Sequence, residues 1–191
     1  MNSQKNFNLK NYNSYNIDSF CKRCWFPEHE SDLVFLLRKF KDSKPIFIGN
    51  GNNIILSKKY YKNDFIILNG CFDKVLVKEN NIIEAEAGAT FLKISKIAMK
   101  RSMSGMEIFY DIPSSIGGAV VMNAGSKDGE IKDILIKVRF IDIHSLEIEE
   151  MDIDQIGFEY RNSFFQKNKN KLILKVWLQL KRGNKNSIIN K

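Results

Sequence analysis

The apolar run Ile112–Ser126, IPSSIGGAVVMNAGS, contains three glycines and an Asn, and no other segment constrains the chain as strongly. Ile116, Val120 and Val121 belong in a core, yet Gly117, Gly118 and Gly125 bring no side chain to pack there. Glycine loses more conformational freedom on folding than any other residue. Its presence in a buried run therefore calls for a positive φ or for a flat ligand pressed against the main chain.

With 191 residues, 43% of them hydrophobic, the chain can bury roughly 70% of its unfolded surface, as one compact body or two small lobes. No apolar run approaches the roughly 18 residues of a membrane span, and the Asn-rich start lacks the apolar stretch of a secretory signal. These features point to the cytoplasm. Three cysteines, an odd number, suit a reducing compartment. Cys21 and Cys24 form one C-x-x-C, read as ordinary reduced thiols, with a redox pair or half a metal site as alternatives. The remaining candidate ligands, Cys71, His29 and His144, match no zinc spacing, so no metal is expected.

The net charge of +8 invites a nucleic-acid reading, but seven Lys and one Arg of the surplus lie between Gln166 and Lys191, where there is no Asp or Glu. The first 165 residues hold 22 basic and 22 acidic groups. A solvated basic end accounts for this distribution, and no specific nucleic-acid partner is expected.

Residues 1–16, dominated by Asn, Lys, Ser and Tyr, read as a mobile arm. Beyond His29, the spacing of Leu33, Leu36, Leu37 and Phe40 predicts a helix, and Pro45 marks the change to a short strand at Ile46–Ile48. A loop of Gly49, Asn50, Gly51, Asn52 and Asn53 follows, leading to a further apolar run at Ile54–Leu56 expected as a strand. Strands are predicted at 65–68, 74–78, 82–87, 134–143 and 171–180, with 146–148 pairing to the fourth. A helix should start near Thr90. The pattern is α+β, in two small subdomains at 17–70 and 71–182, with a basic tail at 183–191.

The Gly/Asn loop lies between two apolar runs, which is not the strand-to-helix setting of a Rossmann turn or a Walker loop. Gly and Asn both enter left-handed geometry, so successive N–H groups can converge into an anion-binding nest; a plain tight turn is the alternative.

Taken together, three segments resemble one family. Pro45–Leu56 (PIFIGNGNNIIL), Met103–Ser126 (MSGMEIFYDIPSSIGGAVVMNAGS) and Gly157–Phe165 (GFEYRNSFF) are similar, in order and spacing, to motifs of the UDP-N-acetylenolpyruvoylglucosamine reductases, also called UDP-N-acetylmuramate dehydrogenases. The resemblance runs from about Tyr15 to Leu180. It implies an FAD-binding domain of the vanillyl-alcohol oxidase type, with two α+β subdomains clasping FAD. Gly49, Asn50, Gly51, Asn52 and Asn53 would hold the diphosphate. Ile112, Pro113, Ser114, Ser115, Gly117, Gly118, Asn123, Ala124 and Gly125 would line the flavin and its ribityl chain. Asn123 would meet a polar ring edge, a capping or turn role being the alternative on its chemistry alone. With no His or Cys inside the matching segments, FAD is expected to bind noncovalently.

In that family NADPH reduces the flavin, which then delivers hydride to UDP-N-acetylglucosamine enolpyruvate and yields UDP-N-acetylmuramate for peptidoglycan synthesis. Arg161 matches the residue that stabilises charge developing on the carboxylate side, and Tyr160 matches a substrate-contacting neighbour. On residue type alone, Arg161 is a surface Arg beside a turn and Tyr160 a half-buried packing residue. Arg161 is expected to be dispensable for FAD binding. Family members continue for roughly a hundred residues into a substrate domain that carries the proton-donating Ser and a polarising Glu, and a partner chain is one source for it. Two substitutions stand out. Asn52 replaces the usual Ser, and Ser114 replaces a Gly, placing a Cβ where a positive φ is possible and weakening FAD affinity. The readings are a flavoenzyme of this family, a non-catalytic FAD-binding protein, and, with least support, a basic nucleic-acid-binding module.

Overall fold

The computed structural model describes residues 1–184, so the basic tail read at 183–191 lies outside the described residues from position 185 onward. In chain order, the first elements are β1 (Asn2–Asn8), β2 (Phe20–Phe26), α1 (Glu30–Lys39), β3 (Ile46–Ile48) and β4 (Tyr60–Ile67). Their strands form one mixed sheet ordered β1-β2-β4-β3. The β1–β2 pair is antiparallel, whereas β2 and β3 both run parallel to β4.

Next come β5 (Val75–Val77), β6 (Ile82–Glu86), α2 (Phe91–Lys100), β7 (Met103–Ser104), α3 (Ile116–Val121), β8 (Gly125–Ser126) and β9 (Gly129–Glu130). The chain then runs through β10 (Leu135–Asp142), β11 (Ile148–Asp152), α4 (Ile153–Ile156), α5 (Phe164–Lys167), β12 (Lys171–Gln179) and β13 (Lys181–Arg182). Five of these strands build a second sheet, antiparallel throughout, in the order β11-β10-β12-β6-β5.

Local chemistry places the helix starts. Ahead of α1, the Asp32 carboxylate accepts the N–H groups of Glu28 and His29, satisfying donors that a helix start leaves free. The Thr90 hydroxyl accepts the Lys93 N–H at 3.2 Å and caps α2, whose Phe91, Ile94 and Ala98 are buried.

The expected mobile arm is instead an ordered edge of the first sheet. β1 pairs along its length with β2, Phe7 stacks against Tyr12 and Phe26, Leu9 is fully buried, and the Asn13 side chain binds the carbonyls of Leu9 and Ile17. Backbone pairing needs no apolar periodicity, so a polar sequence concealed it. The strand expected at Ile54–Leu56 does not form. There the side chains go separate ways, Ile54 toward a cleft, Ile55 into solvent and Leu56 into a core, while β4 occupies the position beside β3.

The two sheets share most of one core. Its largest cluster joins Leu33, Leu36, Leu37 and Ile66 of the first unit to Ile83, Ile94, Val138 and Val176 of the second. Gly70 therefore separates the sheets along the sequence but does not divide the core. A smaller cluster of Leu9, Cys21, Cys24, Ile48, Leu56, Phe65 and Ile67 supports the segment around residues 48–56. No helix among the described residues is long and apolar enough to cross a membrane.

Candidate cofactor cleft

A cleft of about 490 Å³ opens where the end of β3, α3 and the start of β12 come together. It is lined by all five residues of the Gly49–Asn53 loop, by Ile112–Ser115, and by Gly117, Gly118, Ala124, Gly125 and Arg161. Residues more than a hundred positions apart thus converge on one space. Asn123 and Tyr160 do not line it.

The loop wall is held by a tight backbone contact. Gly51 has φ +72, and a Cβ on it would lie 2.1 Å from the Tyr12 carbonyl oxygen, so both conformation and space require glycine. Its own carbonyl accepts the Ser14 N–H at 3.2 Å. Asn69 donates to Asn50 Oδ1 at 2.7 Å, and the side chains of Asn50 and Asn52 contact one another. The amide N–H groups of Asn50, Gly51, Asn52 and Asn53 meet no acceptor among the described residues. Four free donors in a Gly/Asn loop form a donor set suited to an anion.

In the opposite wall, the glycine run folds into α3. Gly117 and Gly118 are helical and lie outside the positive-φ set. The reason for glycine at 117 is close approach to protein: a Cβ there would sit 2.9 Å from that of Ala87, and the Gly117 N–H donates to the Ala87 carbonyl at 2.9 Å. Gly125 likewise presses on Gly129, whose oxygen would be 2.2 Å from an added Cβ. The flat-ligand argument survives only for Gly118, which is exposed and lines the cleft. Ser114 is also outside the left-handed region, so its Cβ carries no backbone strain; its hydroxyl donates to the Ser115 carbonyl at 3.0 Å.

Asn123 sits behind this wall, fully buried and left-handed at φ 43. Its Nδ2 donates to Glu130 Oε2 at 2.9 Å and to the Glu159 carbonyl at 3.0 Å, while Oδ1 has no partner among the described residues. Both Nδ2 bonds are made inside the protein and hold this turn, which leaves Oδ1 as the atom open to the expected contact with a ring edge. Arg161 donates through Nη1 to the Asn123 carbonyl at 3.2 Å and through Nη2 to that of Gly125 at 2.8 Å. Tyr160 is 81% exposed with its ring 5.3 Å from the Arg161 guanidinium.

Sequence reading missed Phe47, Ile54, Met122, Gln166, Lys171, Leu172 and Ile173 in the lining. The last three open β12, which was foreseen as a strand, but no pattern said which space its first residues would border. The lining holds no Asp or Glu and two cations, Arg161 and Lys171. Lys171 pairs with Asp142 at 3.1 Å and Glu149 at 3.3 Å, which raises its pKa above the usual lysine value. An acid-free cleft with apolar walls and one amide-rich end fits an elongated ligand that is flat at one end and anionic elsewhere, as FAD is.

Comparison with known proteins agrees with the cleft chemistry. The family model described as FAD binding domain matches residues 22–148. A UDP-N-acetylenolpyruvoylglucosamine reductase of Borreliella burgdorferi is 37% identical over 186 residues, covering 96% of this chain and 61% of that protein. The enzyme of the same name in Francisella tularensis is 33% identical over 181 residues, covering 94% and 63%. The crystal structure of the Thermus caldophilus reductase aligns with a TM-score of 0.80 at 25% identity, covering 99% of this chain and 65% of that one. Alkyldihydroxyacetonephosphate synthase shares the fold, with a TM-score of 0.62 at 15% identity over 87% of this chain and 33% of that one. The α+β architecture is therefore the FAD-binding fold of the vanillyl-alcohol oxidase type. The chain spans about three fifths of the length of the reductases it matches. It belongs to the FAD binding domain family and represents the FAD-binding part of the UDP-N-acetylenolpyruvoylglucosamine reductase family.

Proposed function

We propose that this chain binds FAD noncovalently in the cleft and serves as the flavin-carrying part of a cytoplasmic, NADPH-dependent reductase of UDP-N-acetylglucosamine enolpyruvate, forming UDP-N-acetylmuramate for peptidoglycan synthesis. The observation that carries this reading is the cleft itself, lined by four loop residues whose amides are unpaired and by no carboxylate. The Gly49–Asn53 amides would hold the diphosphate, since N–H groups need no charged side chain to stabilise an anion. Ile112–Ser115, Gly118, Ala124 and Gly125 would border the flavin portion. No His or Cys lines the cleft, consistent with noncovalent attachment. FAD bound there supplies hydride transfer from NADPH to the enolpyruvyl group.

The chain's own contribution centres on Arg161. Of five guanidinium N–H donors, two are committed to backbone carbonyls. The rest stay available to a substrate carboxylate, and the committed pair fixes the plane in which they are offered, which is how preorganised donors lower a barrier. Tyr160, exposed beside it, would contact substrate.

A second reading is of a flavin-binding unit that turns over only with a partner chain. The 81% exposure of Tyr160 favours it, because contacts on that side of the substrate have to come from elsewhere.

Adding FAD to the purified chain tests both. The expected result is a yellow complex bleached by NADPH and restored by UDP-N-acetylglucosamine enolpyruvate. Bleaching without substrate-driven return supports the partner-dependent reading, and failure to take up FAD overturns both.

A further inference from the structure

We infer that Asn123 and Arg161 form a reciprocal clasp that sets the flavin wall, so that Arg161 governs FAD affinity in addition to any part it takes in the reaction. This inference rests on the FAD-binding reading above.

The clasp joins two loops by hydrogen bonds running in both directions. Asn123 donates from Nδ2 to the Glu159 carbonyl at 3.0 Å, and Arg161 returns two bonds, to the carbonyls of Asn123 and Gly125. A third tie comes from the Ser163 hydroxyl, which donates to the Val121 carbonyl at 2.8 Å. Between the two carbonyls that Arg161 holds lies Ala124, whose N–H and C=O are already bonded to Ala119 and Ile131 at 2.8 Å each. The carbonyls on either side of Ala124, those of Asn123 and Gly125, are both bonded by the one Arg161 guanidinium.

Backbone strain supports the same assignment. Asn123 and Arg161 are both left-handed, at φ 43 and φ 53. That region disfavours side chains with a Cβ, Arg more than Asn, and it persists only where surrounding contacts over-determine it. On the far side of the clasp, Glu159 and Asn162 exchange backbone hydrogen bonds at 3.1 and 3.2 Å, closing a turn with Tyr160 and Arg161 at its tip. From this turn the Arg161 side chain reaches toward 123–125. Two of the residues so held, Ala124 and Gly125, line the cleft, whereas Asn123 is buried behind it and acts through its neighbours.

A guanidinium is a planar fork that can reach two acceptors at once, which an ammonium cannot reproduce. Arg161→Lys keeps the charge and loses the fork, so it separates the clasp from simple attraction of FAD phosphates by a cation. Asn123→Asp keeps the size and tolerates left-handed geometry, but it cannot donate to Glu159 and confronts the Glu130 carboxylate.

The test is FAD affinity of the whole chain, measured by flavin fluorescence in titrations of wild type, Arg161→Ala, Arg161→Lys, Asn123→Asp and the Arg161→Ala/Asn123→Asp double variant, with circular dichroism confirming the fold of each. The expected result is a dissociation constant raised about tenfold in both Arg161 variants, the scale of losing hydrogen bonds from a charged donor. Asn123→Asp should weaken binding similarly, and the double variant should be no weaker than the worse single, since residues acting as one unit are not additive. Full affinity in Arg161→Lys, or additive losses in the double variant, would overturn the clasp while leaving the FAD reading intact. A wild-type chain that takes up no FAD would remove the reading on which the clasp rests.

Discussion

Gly51 passes so close to the Tyr12 carbonyl that any side chain at position 51 would collide with it, and this contact ties the amide-rich loop to the N-terminal segment. Gly51→Ala combines left-handed strain with a backbone clash, whereas Gly70→Ala, at φ +79 with open space around it, carries the strain alone. The expected cost is about 2–3 kcal/mol for Gly51→Ala and about 1 kcal/mol for Gly70→Ala. For a chain of this size that corresponds to falls in melting temperature of roughly 4–12 °C against about 2–4 °C. FAD binding should weaken only in Gly51→Ala. Equal shifts in the two variants would show that the Tyr12 contact yields freely.

The N-terminal segment supplies a second test, because Leu9 lies fully buried against Cys21, Ile48 and Phe65. Truncating a buried leucine costs about 2–5 kcal/mol, so Leu9→Ala should lower the urea midpoint substantially. An unchanged midpoint would return residues 1–16 to the role of a mobile arm.

These two sites also show what was legible beforehand. Gly51 stood out because glycine beside Asn in a loop has few explanations, and the helix start at Thr90 was readable because its signals are local. β1 was not, since its stabilisation comes from pairing with β2 and from two apolar residues, Phe7 and Leu9, in a polar stretch. The loop and the glycine run were recognisable as parts of one site, but the physical reason for Gly117 and Gly125 lies in Ala87 and Gly129, contacts that only the fold creates. Asn123 was picked out by its neighbours in sequence, and burial moved it from the cleft to the layer behind.

Asp142 should give the protein an acid-sensitive step. Burial alone would raise its pKa, but the N–H groups of His144 and Ser145 and the Lys171 ammonium outweigh burial and hold it down to about 2. A depressed folded-state pKa means that Asp142 stabilises the fold above its ordinary value of 3.8, and that this contribution is lost as pH falls from there through about 2. Unfolding free energy measured across that window should fall with pH in the wild type and slope less in Asp142→Asn. Identical slopes would mean the carboxylate gains nothing from its partners. Because Lys171 lines the cleft, the same variant should also loosen the start of β12.

The C-x-x-C pair provides the last test. Cys21 and Cys24 are three apart in a strand, a spacing that normally sends side chains to opposite faces, yet both are fully buried in one small cluster. The pairing of β2 with β4 shifts register between Cys21 and Arg23, and that irregularity turns the two thiols to the same side. The neighbouring Cys21 thiol and burial together push the Cys24 thiol upward. Burial also raises Cys71, to about 11. Cys21 and Cys24 are fully buried and the Cys71 thiol is held protonated, so at pH 8 an aromatic disulfide reagent should label none of the three promptly in the native protein and all three once it is unfolded in denaturant. One fast-reacting thiol in the native state would revive the redox-pair alternative for Cys21 and Cys24. Uniform protection would establish them as packing residues beneath the Gly49–Asn53 loop, where Ile48 and Leu56 of the same cluster flank the donors proposed to hold the diphosphate.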